Sequence, residues 1–520
     1  MDVAVAQQPG IADGLHEPPT QGALFREVML ARQRVYRLAE PTPIHQVRHP
    51  GGATFMLKRE DLSPIHSYKW RGAMNRLSAL AESGDPRPIV ACSAGNHGQG
   101  VASAARALGL SGTVFMPRST PSLKVREVRR LGAEQVRVEL IGDTVDEAAA
   151  AAAEHSRSTG AVIIPPYDDP HVIAGQGTIG DEIVTANVRP SRVYLQIGGG
   201  GMAAGVACVL KTYYPEVRII GVEGDGQASM LAAVQAGKPV ALDTLDRFCD
   251  GTAVRTAGRI THRLCSDLID EFITVTNNEV CAAMQFLWES CRVVPEPSGA
   301  MGVAAVLREQ DPGAISGSLA VLSGANMDFA TLAWISRHAG IGLMRRQYFE
   351  FAIPEHRGTL VALLEQVGDA VNIVDFQYGK VDQHRAFPVL GFEGTAESLR
   401  DMQHRLRALP VEFQDVTSRE IVDFRVIPLR PELFKRPFFA IIDFPERAGA
   451  LRDFMRTVSD IANICYFNYQ TTGETEGHAM MGFEFATDQA RAGFLDRLRT
   501  ASLPFRPVST DLLEPSLELD

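Results

Sequence analysis

An internal repeat limits the fold of the last third of this 520-residue chain more than any other sequence feature. The segment Pro-Glu-His-Arg-Gly at 354–358 recurs as Pro-Glu-Arg-Ala-Gly at 445–449, which is an offset of 91 residues. Asn-Ile at 372–373 and Gly-Phe-Glu at 391–393 also recur at this offset, without a gap. Several matches in one register indicate a duplicated structural unit.

Hydrophobic periodicity predicts the same order of elements in both copies: strand, turn, helix, strand, strand, helix. The predicted elements of the two copies are 349–353 and 438–444, 359–367 and 450–458, 372–378 and 463–469, 386–392 and 478–485, and 395–408 and 487–499. This order is that of a ferredoxin-like βαββαβ unit. We therefore expect two small domains, at 346–430 and 436–515.

Short apolar strands alternate with helices in the preceding part of the chain. The predicted strands are 54–57, 89–92, 112–115, 136–140, 162–164, 193–197, 219–222 and 319–322. The predicted helices are 22–39, 71–80, 98–108, 123–131, 145–156, 179–186, 202–214, 280–290 and 299–308. Such alternation predicts an α/β domain with largely parallel sheets, which bind ligands at the carboxyl ends of their strands. We expect this domain at 23–343, with a smaller subdomain at about 60–165, after a loose segment at 1–22.

Composition argues against several classes of protein. The formal net charge of −11, without basic clusters, argues against a partner that is nucleic acid or an anionic membrane. Residues 1–20 contain three acidic residues and no apolar core, so we do not expect a signal peptide. No apolar run is long enough to cross a bilayer. Seven scattered cysteines without a Cys-x-x-Cys pair are typical of reduced thiols. These features predict a cytoplasmic protein.

Lys69 lies between an acidic, turn-forming segment at 60–67 and the predicted helix at 71–80. Taken alone, a lysine at such a boundary is more often a plain surface ammonium. It becomes a nucleophile toward a carbonyl cofactor only when its pKa is lowered and a phosphate site lies nearby. Glycine-rich segments further along the chain are candidates for the rest of such a site.

One segment follows the predicted strand 89–92 and opens a helix. It consists of Ser93, Ala94, Gly95, Asn96 and His97. Small residues allow close backbone approach, and N–H groups at a helix start suit an anion such as a substrate carboxylate. The polar side chains can hydrogen-bond the substituents of a ring. The alternative interpretation is a polar strand-to-helix turn.

A second segment has four consecutive glycines between a predicted strand and a predicted helix. It consists of Gly198, Gly199, Gly200, Gly201 and Met202. A tight turn needs only one or two glycines, so the run favours a nest of N–H groups around a phosphate. The run lacks the Lys-Ser/Thr of a Walker loop and the pattern of a dinucleotide-binding loop.

Ser323 follows the last predicted strand of the α/β region. Its hydroxyl can face a ring nitrogen, and a neutral partner would leave that nitrogen largely unprotonated, which weakens the ring as an electron sink. A strand-end turn is the alternative. We interpret 174–178 and 296–300 as further small-residue turns that line the same crevice.

Together these segments resemble the fold-type II pyridoxal-phosphate enzymes, whose catalytic domain is like that of tryptophan synthase β. Within that group the chain resembles the biosynthetic threonine ammonia-lyases (threonine dehydratases), which also carry two C-terminal ferredoxin-like, ACT-like regulatory domains. The resemblance covers about 24–515. Tyr68 departs from the phenylalanine of many relatives. The residues after Glu223 do not reproduce the acidic cation site of some relatives, so we expect no metal.

The resemblance implies pyridoxal 5'-phosphate as the cofactor and Lys69 as the catalytic residue. The implied cofactor-binding residues are Lys69, Asn96, Gly198, Gly199, Gly200, Gly201, Met202 and Ser323. The implied substrate-binding residues are Ser93, Ala94, Gly95 and His97. The implied reaction is the β-elimination of L-threonine, with L-serine as a weaker substrate, to 2-oxobutanoate and ammonia. This reaction is the first committed step of isoleucine biosynthesis.

For the duplicated domains the resemblance implies isoleucine as a feedback inhibitor, valine as an opposing effector, and a homotetramer. The candidate effector residues are Gly358, Asn372, Gly449 and Asn463. An oligomerisation module without a ligand is the alternative. For the whole chain, the alternatives are an L-serine or catabolic threonine dehydratase or a racemase of the same fold. From a different class, the alternative is a non-catalytic amino-acid-sensing regulator.

Overall fold

The structure is a computed structural model. It describes residues 18–354, 363, 367, 370–377, 384–408, 411–419, 422, 434–445, 454, 458, 461–470, 476–500 and 504–509. The chain forms two compact units, Met1–Phe329 and Ala330–Asp520. None of the described helices is long and apolar enough to cross a membrane.

Strands and helices alternate through the first unit, as predicted. Their order is α1 Gln21–Val35, β1 Ile44–Arg48, β2 Thr54–Arg59, α2 Lys69–Glu82, β3 Ile89–Cys92, α3 Asn96–Leu108, β4 Gly112–Met116, α4 Ser122–Gly132, β5 Val136–Leu140, α5 Val145–Thr159, β6 Val162–Ile163, α6 Pro170–Thr185, β7 Arg192–Gln196, α7 Gly201–Tyr213, β8 Arg218–Gly224, α8 Ser229–Ala236, α9 Arg259–Leu268, β9 Glu271–Val275, α10 Asn277–Cys291, α11 Pro297–Leu307, α12 Pro312–Ser316 and β10 Ser318–Leu322. Every strand predicted here is confirmed to within two residues at either end. Strands β1 and β9 and helices α8, α9 and α12 were not predicted.

Two sheets form the first unit. The larger sheet has the strand order β1-β2-β10-β7-β8-β9, and β1 runs antiparallel to β2 while the other pairs are parallel. The smaller sheet is parallel and has the order β5-β4-β3-β6. Each sheet has its own apolar core. Because β10 lies between β2 and β7, the segments that follow these three strands meet at one edge of the larger sheet.

The prediction of a turn at 174–178 was wrong, because these residues lie inside helix α6. Asp169 caps this helix, and Pro170 occupies its first position. The small residues serve a helix contact: a Cβ on Gly205 of α7 would collide with the Ile173 carbonyl oxygen of α6. The turn predicted at 296–300 is likewise helical from Pro297 onward, where α11 begins. Close helix packing, not loop formation, explains the glycines of α6.

A cluster of buried charges joins β2, α2 and α6. Arg71 Nε donates to Glu60 Oε2 at 2.8 Å, and Arg71 Nη1 donates to Glu182 Oε1 at 2.5 Å. Lys58 Nζ lies 2.5 Å from Glu182 Oε2. Burial raises the pKa of Glu60, but Arg71 and Lys58 together outweigh burial and lower it to about 2. Removing one partner from such a cluster costs about 3–5 kcal/mol, because a buried charge is left unpaired.

The second unit contains one helix followed by two similar antiparallel sheets. Its elements are α13 Leu332–Gly342, β11 Arg346–Pro354, β12 Asn372–Gln377, β13 Arg385–Ala386, β14 Val389–Glu393, α14 Ala396–Arg407, β15 Glu412–Asp415, β16 Phe438–Pro445, β17 Asn463–Gln470, β18 Glu476–Glu484, α15 Asp488–Thr500 and β19 Phe505–Val508. The strand predicted at 386–392 is two strands, β13 and β14, separated by Phe387 and Pro388. Most of the predicted helices 359–367 and 450–458 lie outside the described residues.

The two copies have the same topology. The strand orders β12-β14-β11-β15 and β17-β18-β16-β19 are both those of an antiparallel βαββαβ unit. Even an irregularity repeats: the register of β12 shifts between Ile373 and Asp375, and that of β17 shifts between Ile464 and Tyr466, exactly one repeat later. The predicted ferredoxin-like fold of both copies is therefore confirmed for the described residues.

Apolar side chains join the two sheets of the second unit. They lie on the sheet faces opposite the cores of the two copies, and they are Tyr348, Val389, Val416, Phe439, Ile441 and Met480. Because both faces are apolar, the duplicated units bury them against each other.

Gly205→Ala should destabilise the first unit, because the new Cβ would lie 2.7 Å from the Gly177 backbone nitrogen and closer still to the Ile173 carbonyl oxygen. We expect the midpoint of thermal unfolding to fall by at least about 3 °C. The control is Gly22→Ala, whose Cβ meets no atom within 4 Å and should leave the midpoint unchanged. Equal midpoints for the two variants would contradict the close helix contact.

Candidate active site

Lys69 begins α2 beside the end of β10. An antiparallel bridge joins Ser67 to Gly324, directly after β10. Helix α3 approaches from another side at Gly100, where a Cβ would lie 3.0 Å from the Lys69 carbonyl oxygen. Backbone contacts from two elements therefore fix the position from which the Lys69 side chain extends.

The Lys69 amine is held by backbone, not by a carboxylate. Its Nζ donates to the Pro166 carbonyl oxygen at 3.1 Å and lies 5.4 Å from the centre of the Tyr68 ring. Burial lowers the pKa of Lys69 to about 8, against a smaller opposing effect of the Glu296 carboxylate. The reactive, unprotonated amine is therefore far more abundant at neutral pH than in an ordinary lysine.

The four glycines connect β7 to α7, as predicted. Gly200 caps α7 with a φ of 87°, a left-handed conformation that favours glycine. A Cβ on Gly199 would collide with the Tyr167 ring, and one on Gly198 would lie 2.7 Å from the Thr252 backbone. The first N–H groups of a helix have no partner within that helix. This loop therefore presents N–H groups at a place where side chains are excluded, as a phosphate requires.

Neighbouring residues link this loop to the amine. Pro166 accepts the hydrogen bond from Lys69, and the next residue, Tyr167, packs on Gly199. Met202, predicted to belong to the same loop, is the second residue of α7 and is buried. The structure thus brings the predicted lysine and the predicted phosphate loop to the same place.

Ser323 lies directly after β10 and is buried. Its carbonyl oxygen accepts a hydrogen bond from the Tyr68 N–H at 3.0 Å. The hydroxyl of this buried residue is suited to a ligand atom such as a ring nitrogen.

The predicted carboxylate-binding segment forms the turn between β3 and α3. The Gly95 N–H donates to Ser93 Oγ at 3.2 Å, and Ala94 lies between them. All three residues are partly accessible. The turn precedes the start of α3, where backbone N–H groups can meet an anion.

Asn96 belongs to a hydrogen-bonded triad that sequence analysis missed. Its Nδ2 donates to both carboxylate oxygens of Glu296, at 2.8 and 3.0 Å. Its Oδ1 accepts from Asn326 Nδ2 at 2.8 Å, and the Asn326 backbone N–H donates to Glu296 at 3.2 Å. Asn96 comes from the smaller sheet's helix α3 and the other two from segments beside the larger sheet. The triad therefore connects the two sheets of the first unit, and we name the region between these sheets, beside Lys69, the cleft.

The His97 side chain is buried in the interior of the domain. Its Nε2 lies 2.9 Å from the Ile164 carbonyl oxygen and so donates to it. Burial, and then the charge of Lys69, lower the pKa of His97 to about 4. The ring is therefore neutral at physiological pH. Its predicted contact with substrate stays a prediction.

A second contact across the cleft joins Lys124 of α4 to Asp250, at 2.5 Å between Nζ and Oδ2. Burial, and then the neighbouring Asp250, raise the pKa of Glu296 to about 7. Lys124 opposes that rise. The cleft therefore holds two lysines, Lys69 and Lys124, and two carboxylates, Asp250 and Glu296, that interact electrostatically.

Sequence reasoning did not single out Glu296, Asn326, Lys124 or Asp250 as site residues. Glu296 was noted only as part of a small-residue turn, although a carboxylate directly before a helix that starts with proline was an available signal. Lys124 has the sequence context of any lysine on an amphipathic helix. Its ion pair is formed with Asp250, 126 residues away, and no local pattern predicts such a contact.

These residues fit pyridoxal phosphate. The glycine loop, whose Cβ positions are filled by neighbouring residues, suits its phosphate, the Lys69 amine of lowered pKa suits its aldehyde, and the Ser323 hydroxyl suits its ring nitrogen. The triad places the Asn96 amide nearby. The assignment of each contact stays a prediction.

Glu223 lies near the end of β8 and is buried. Its carboxylate accepts the N–H groups of Met230 at 2.9 Å and Leu231 at 2.7 Å, at the start of α8. Burial raises the pKa of Glu223 to about 7. Among the described residues, no group of three or more acidic, histidine or cysteine side chains is arranged to hold a metal ion.

Comparison with protein families agrees with this geometry. Residues 35–324 match the family described as pyridoxal-phosphate dependent enzymes. Residues 337–426 and 434–514 each match the C-terminal regulatory domain of threonine dehydratase. The chain belongs to the biosynthetic threonine dehydratase family. The two regulatory matches also agree with the repeat found in the sequence.

Curated threonine dehydratases match over most of their length. The L-threonine dehydratase biosynthetic IlvA of Haemophilus influenzae is 36% identical over 475 residues, which are 90% of this chain and 92% of that protein. The protein of the same name from Escherichia coli is 34% identical over 474 residues, which are 89% of this chain and 91% of that protein.

Solved structures of this fold match about three fifths of the chain. The processed form of threonine deaminase isoform 2 from Solanum lycopersicum has a TM-score of 0.58 at 36% identity, and the match covers 64% of this chain and 98% of that one. Maize serine racemase has a TM-score of 0.55 at 28% identity, covering 61% and 97%.

Two of the four residues predicted to bind an effector lie within the described part of the chain. Gly358 and Gly449 lie outside the described residues. Asn372 and Asn463 begin the equivalent strands β12 and β17 and are exposed. Asn463 Nδ2 donates to Glu484 Oε1 at 2.7 Å. Their role in binding an effector stays a prediction.

Covalent attachment of pyridoxal phosphate to the cofactor-free dehydratase should depend on pH through Lys69. Because burial lowers the pKa of this amine to about 8, the reactive fraction should rise between about pH 7 and 9 and then level off. A lysine of ordinary pKa, about 10.4, would still be gaining reactivity above that range. Stopped-flow absorbance of the bound cofactor measures the rate.

Glu296→Gln is the matched variant for this measurement. The Glu296 carboxylate raises the pKa of Lys69, so its removal should move the rate profile to lower pH. Glu289→Gln, which changes an exposed carboxylate, should leave the profile in place. A profile that does not move in Glu296→Gln would contradict the electrostatic coupling.

Proposed function

We propose that this chain catalyses the pyridoxal-phosphate-dependent deamination of L-threonine to 2-oxobutanoate and ammonia. One observation carries the proposal: the amine of lowered pKa lies beside a glycine loop that excludes side chains, at the edge where β2, β7 and β10 end. Similarity to threonine dehydratases over about 90% of the chain supports threonine as the substrate.

Several residues of the cleft have roles in this reaction. When bound, the cofactor supplies an electron sink for the electron pair left at the α-carbon. Lys69 Nζ would hold the cofactor and, when free, would take the α-proton of the substrate. Gly198–201 hold the phosphate, and the turn at 93–95 binds the substrate carboxylate. Asn96 orients the ring hydroxyl, and Ser323 leaves the ring nitrogen without a full positive charge.

Purified protein with bound cofactor should release 2-oxobutanoate from L-threonine, and more slowly pyruvate from L-serine. A coupled keto-acid assay measures both reactions, and Lys69→Ala should abolish both. The similarity to maize serine racemase is the reason to test the racemase alternative, and chiral analysis of the residual serine tests it. Racemisation without keto-acid release would overturn the proposed reaction.

We also propose that isoleucine binds the regulatory unit and inhibits the enzyme, and that valine opposes it. The two regulatory-domain matches support control by an effector. A cytoplasmic homotetramer is the assembly we propose, which sedimentation at several protein concentrations would test. Inhibition of keto-acid release by L-isoleucine, relieved by L-valine, is the expected kinetic result.

Ser323→Asp should lower the rate of ammonia release by about tenfold, because a carboxylate partner would protonate the ring nitrogen and prolong the carbanion. Side reactions such as racemisation or transamination should rise at the same time. Ser298→Ala is a control, since its hydroxyl already pairs with Thr252 at 3.1 Å. Unchanged elimination without new products in Ser323→Asp would refute the role given to Ser323.

A further inference from the structure

The segment before α2 runs beside the segment that follows β10, and a side chain completes the contact between them. The Ala325 N–H donates to the His66 carbonyl oxygen at 2.9 Å. The preceding carbonyl oxygen, that of Ile65, accepts instead from the side chain of Asn326, whose Nδ2 lies 2.7 Å away. The Ile65 side chain is buried with Trp70 in an apolar cluster, which helps to hold its backbone in place. The Asn326 side chain is thus fixed to the main chain beside α2.

The Ile65 contact decides which way the Asn326 carboxamide faces. A carbonyl oxygen can only accept a hydrogen bond, so it must meet the NH2 group of Asn326. That NH2 group also lies 2.8 Å from Asn96, and the Asn96 atom that accepts from it must be Oδ1. The Asn96 carboxamide is therefore held in one orientation, with its own NH2 group on the opposite side.

Glu296 meets the NH2 group of Asn96. The Asn96 Nδ2 lies 2.8 and 3.0 Å from the two carboxylate oxygens, and the Asn326 backbone N–H reaches the same carboxylate at 3.2 Å. The two N–H bonds of a carboxamide diverge too widely for both to point at one carboxylate, so the two oxygens share one N–H. The other N–H of Asn96 is directed away from Glu296 and can donate to a different acceptor.

The Glu296 carboxylate is itself held on the segment after β10. Its backbone N–H donates to the Gly324 carbonyl oxygen at 3.1 Å. A Cβ on Gly324 would lie 2.6 Å from Glu296 Oε1, so only glycine leaves room for the carboxylate. If Asn96 turned its carboxamide around, Oδ1 would face this carboxylate, and two acceptors would be left against each other. Glu296 therefore favours the same orientation of Asn96 as Asn326 does.

This orientation affects the proton on the ring oxygen of pyridoxal phosphate, the atom that the proposed function assigns to Asn96. A hydrogen bond from an N–H stabilises the unprotonated, negatively charged ring oxygen. A carboxamide oxygen in the same place would instead favour a protonated ring oxygen, which donates. The group that Asn96 presents thus influences which protonation state of the bound cofactor predominates.

We propose that Asn326 is a positioning residue, which holds the Asn96 carboxamide against Glu296 so that Asn96 offers an N–H to the ring oxygen of the cofactor. Asn326 acts through Asn96 and does not itself contact the cofactor. The proposal deepens the proposed function and rests on the role given there to Asn96. The residues predicted from the sequence to form the site did not include Asn326.

The test compares the absorbance spectrum of the cofactor bound to the full-length enzyme, without substrate. Bound cofactor with a protonated ring oxygen absorbs at shorter wavelength than bound cofactor with an unprotonated one. Leucine is close to asparagine in size and carries no charge. In Asn326→Leu, the ratio of the short-wavelength form to the long-wavelength form should rise about threefold or more, because Asn96 is then held from one side only.

Gln285→Leu is the matched control. It removes a partly exposed carboxamide on α10 that donates to Glu289 at 2.8 Å, and it should leave the ratio unchanged. Asn326→Ala removes the same carboxamide as Asn326→Leu without adding bulk, and it should raise the ratio in the same way. The test therefore does not depend on the folding of a single variant.

Double variants show whether Asn326 acts through Asn96. In Asn96→Ala the ratio should already be raised, and the further change Asn326→Leu should alter it less than about 1.5-fold. A merely structural role of Asn326 predicts the same shift with and without Asn96. Such an equal shift, or an unchanged ratio in a folded Asn326 variant, would overturn the proposal.

The outcomes separate this role from the proposed reaction, because the spectra are recorded without threonine. If the wild type deaminates threonine and the Asn326 variants keep the wild-type ratio, the reaction stands and the role of Asn326 is overturned. If the ratio shifts as expected and the wild type releases no 2-oxobutanoate from L-threonine, the role of Asn326 stands and the reaction is overturned.

Discussion

Four buried charges hold the catalytic unit together. Lys58, Glu60, Arg71 and Glu182 come from β2, the segment after it, α2 and α6, and each charge lies within hydrogen-bond distance of an opposite one. Buried charges are tolerated only when they are paired, so these elements have few alternative arrangements. Arg71 lies two residues after Lys69, and the cluster therefore also sets where α2 begins. The position of the Lys69 amine thus depends on charges that belong to the core.

Local patterns predicted most of the fold, and non-local contacts account for what was missed. Strand–helix alternation, the repeat and the glycine loop are visible within short windows of sequence, so their positions were predicted closely. The segment 174–178 was misread because glycines that allow two helices to touch look like turn glycines. Glu296 meets Asn96 across 200 residues of chain, and no spacing in the sequence indicates such a pair.

Duplication kept the backbone of the regulatory unit and changed its chemistry. Both copies retain the strand order, and the apolar faces of their sheets pack together. Only the first copy carries Arg346 and Asp375, where the second has proline and tyrosine. Since equivalent positions share a scaffold, the two copies differ in chemistry at matched places. The two copies therefore share a fold but differ in charge.

The shared bulge also sets which chemistry each face of the sheet presents. Because side chains alternate between faces along a strand, one extra residue decides which side chains after it point to which face. Ile373 pairs with Phe392 and Asp375 with the next residue, Gly391, so residue 374 is the extra one. If residue 374 were paired in a regular register instead, Asp375 would turn toward the phenylalanine-rich core and Phe376 toward the opposite face. Loss of the bulge would thus exchange charge and hydrocarbon across the sheet, although every residue of the strand was kept.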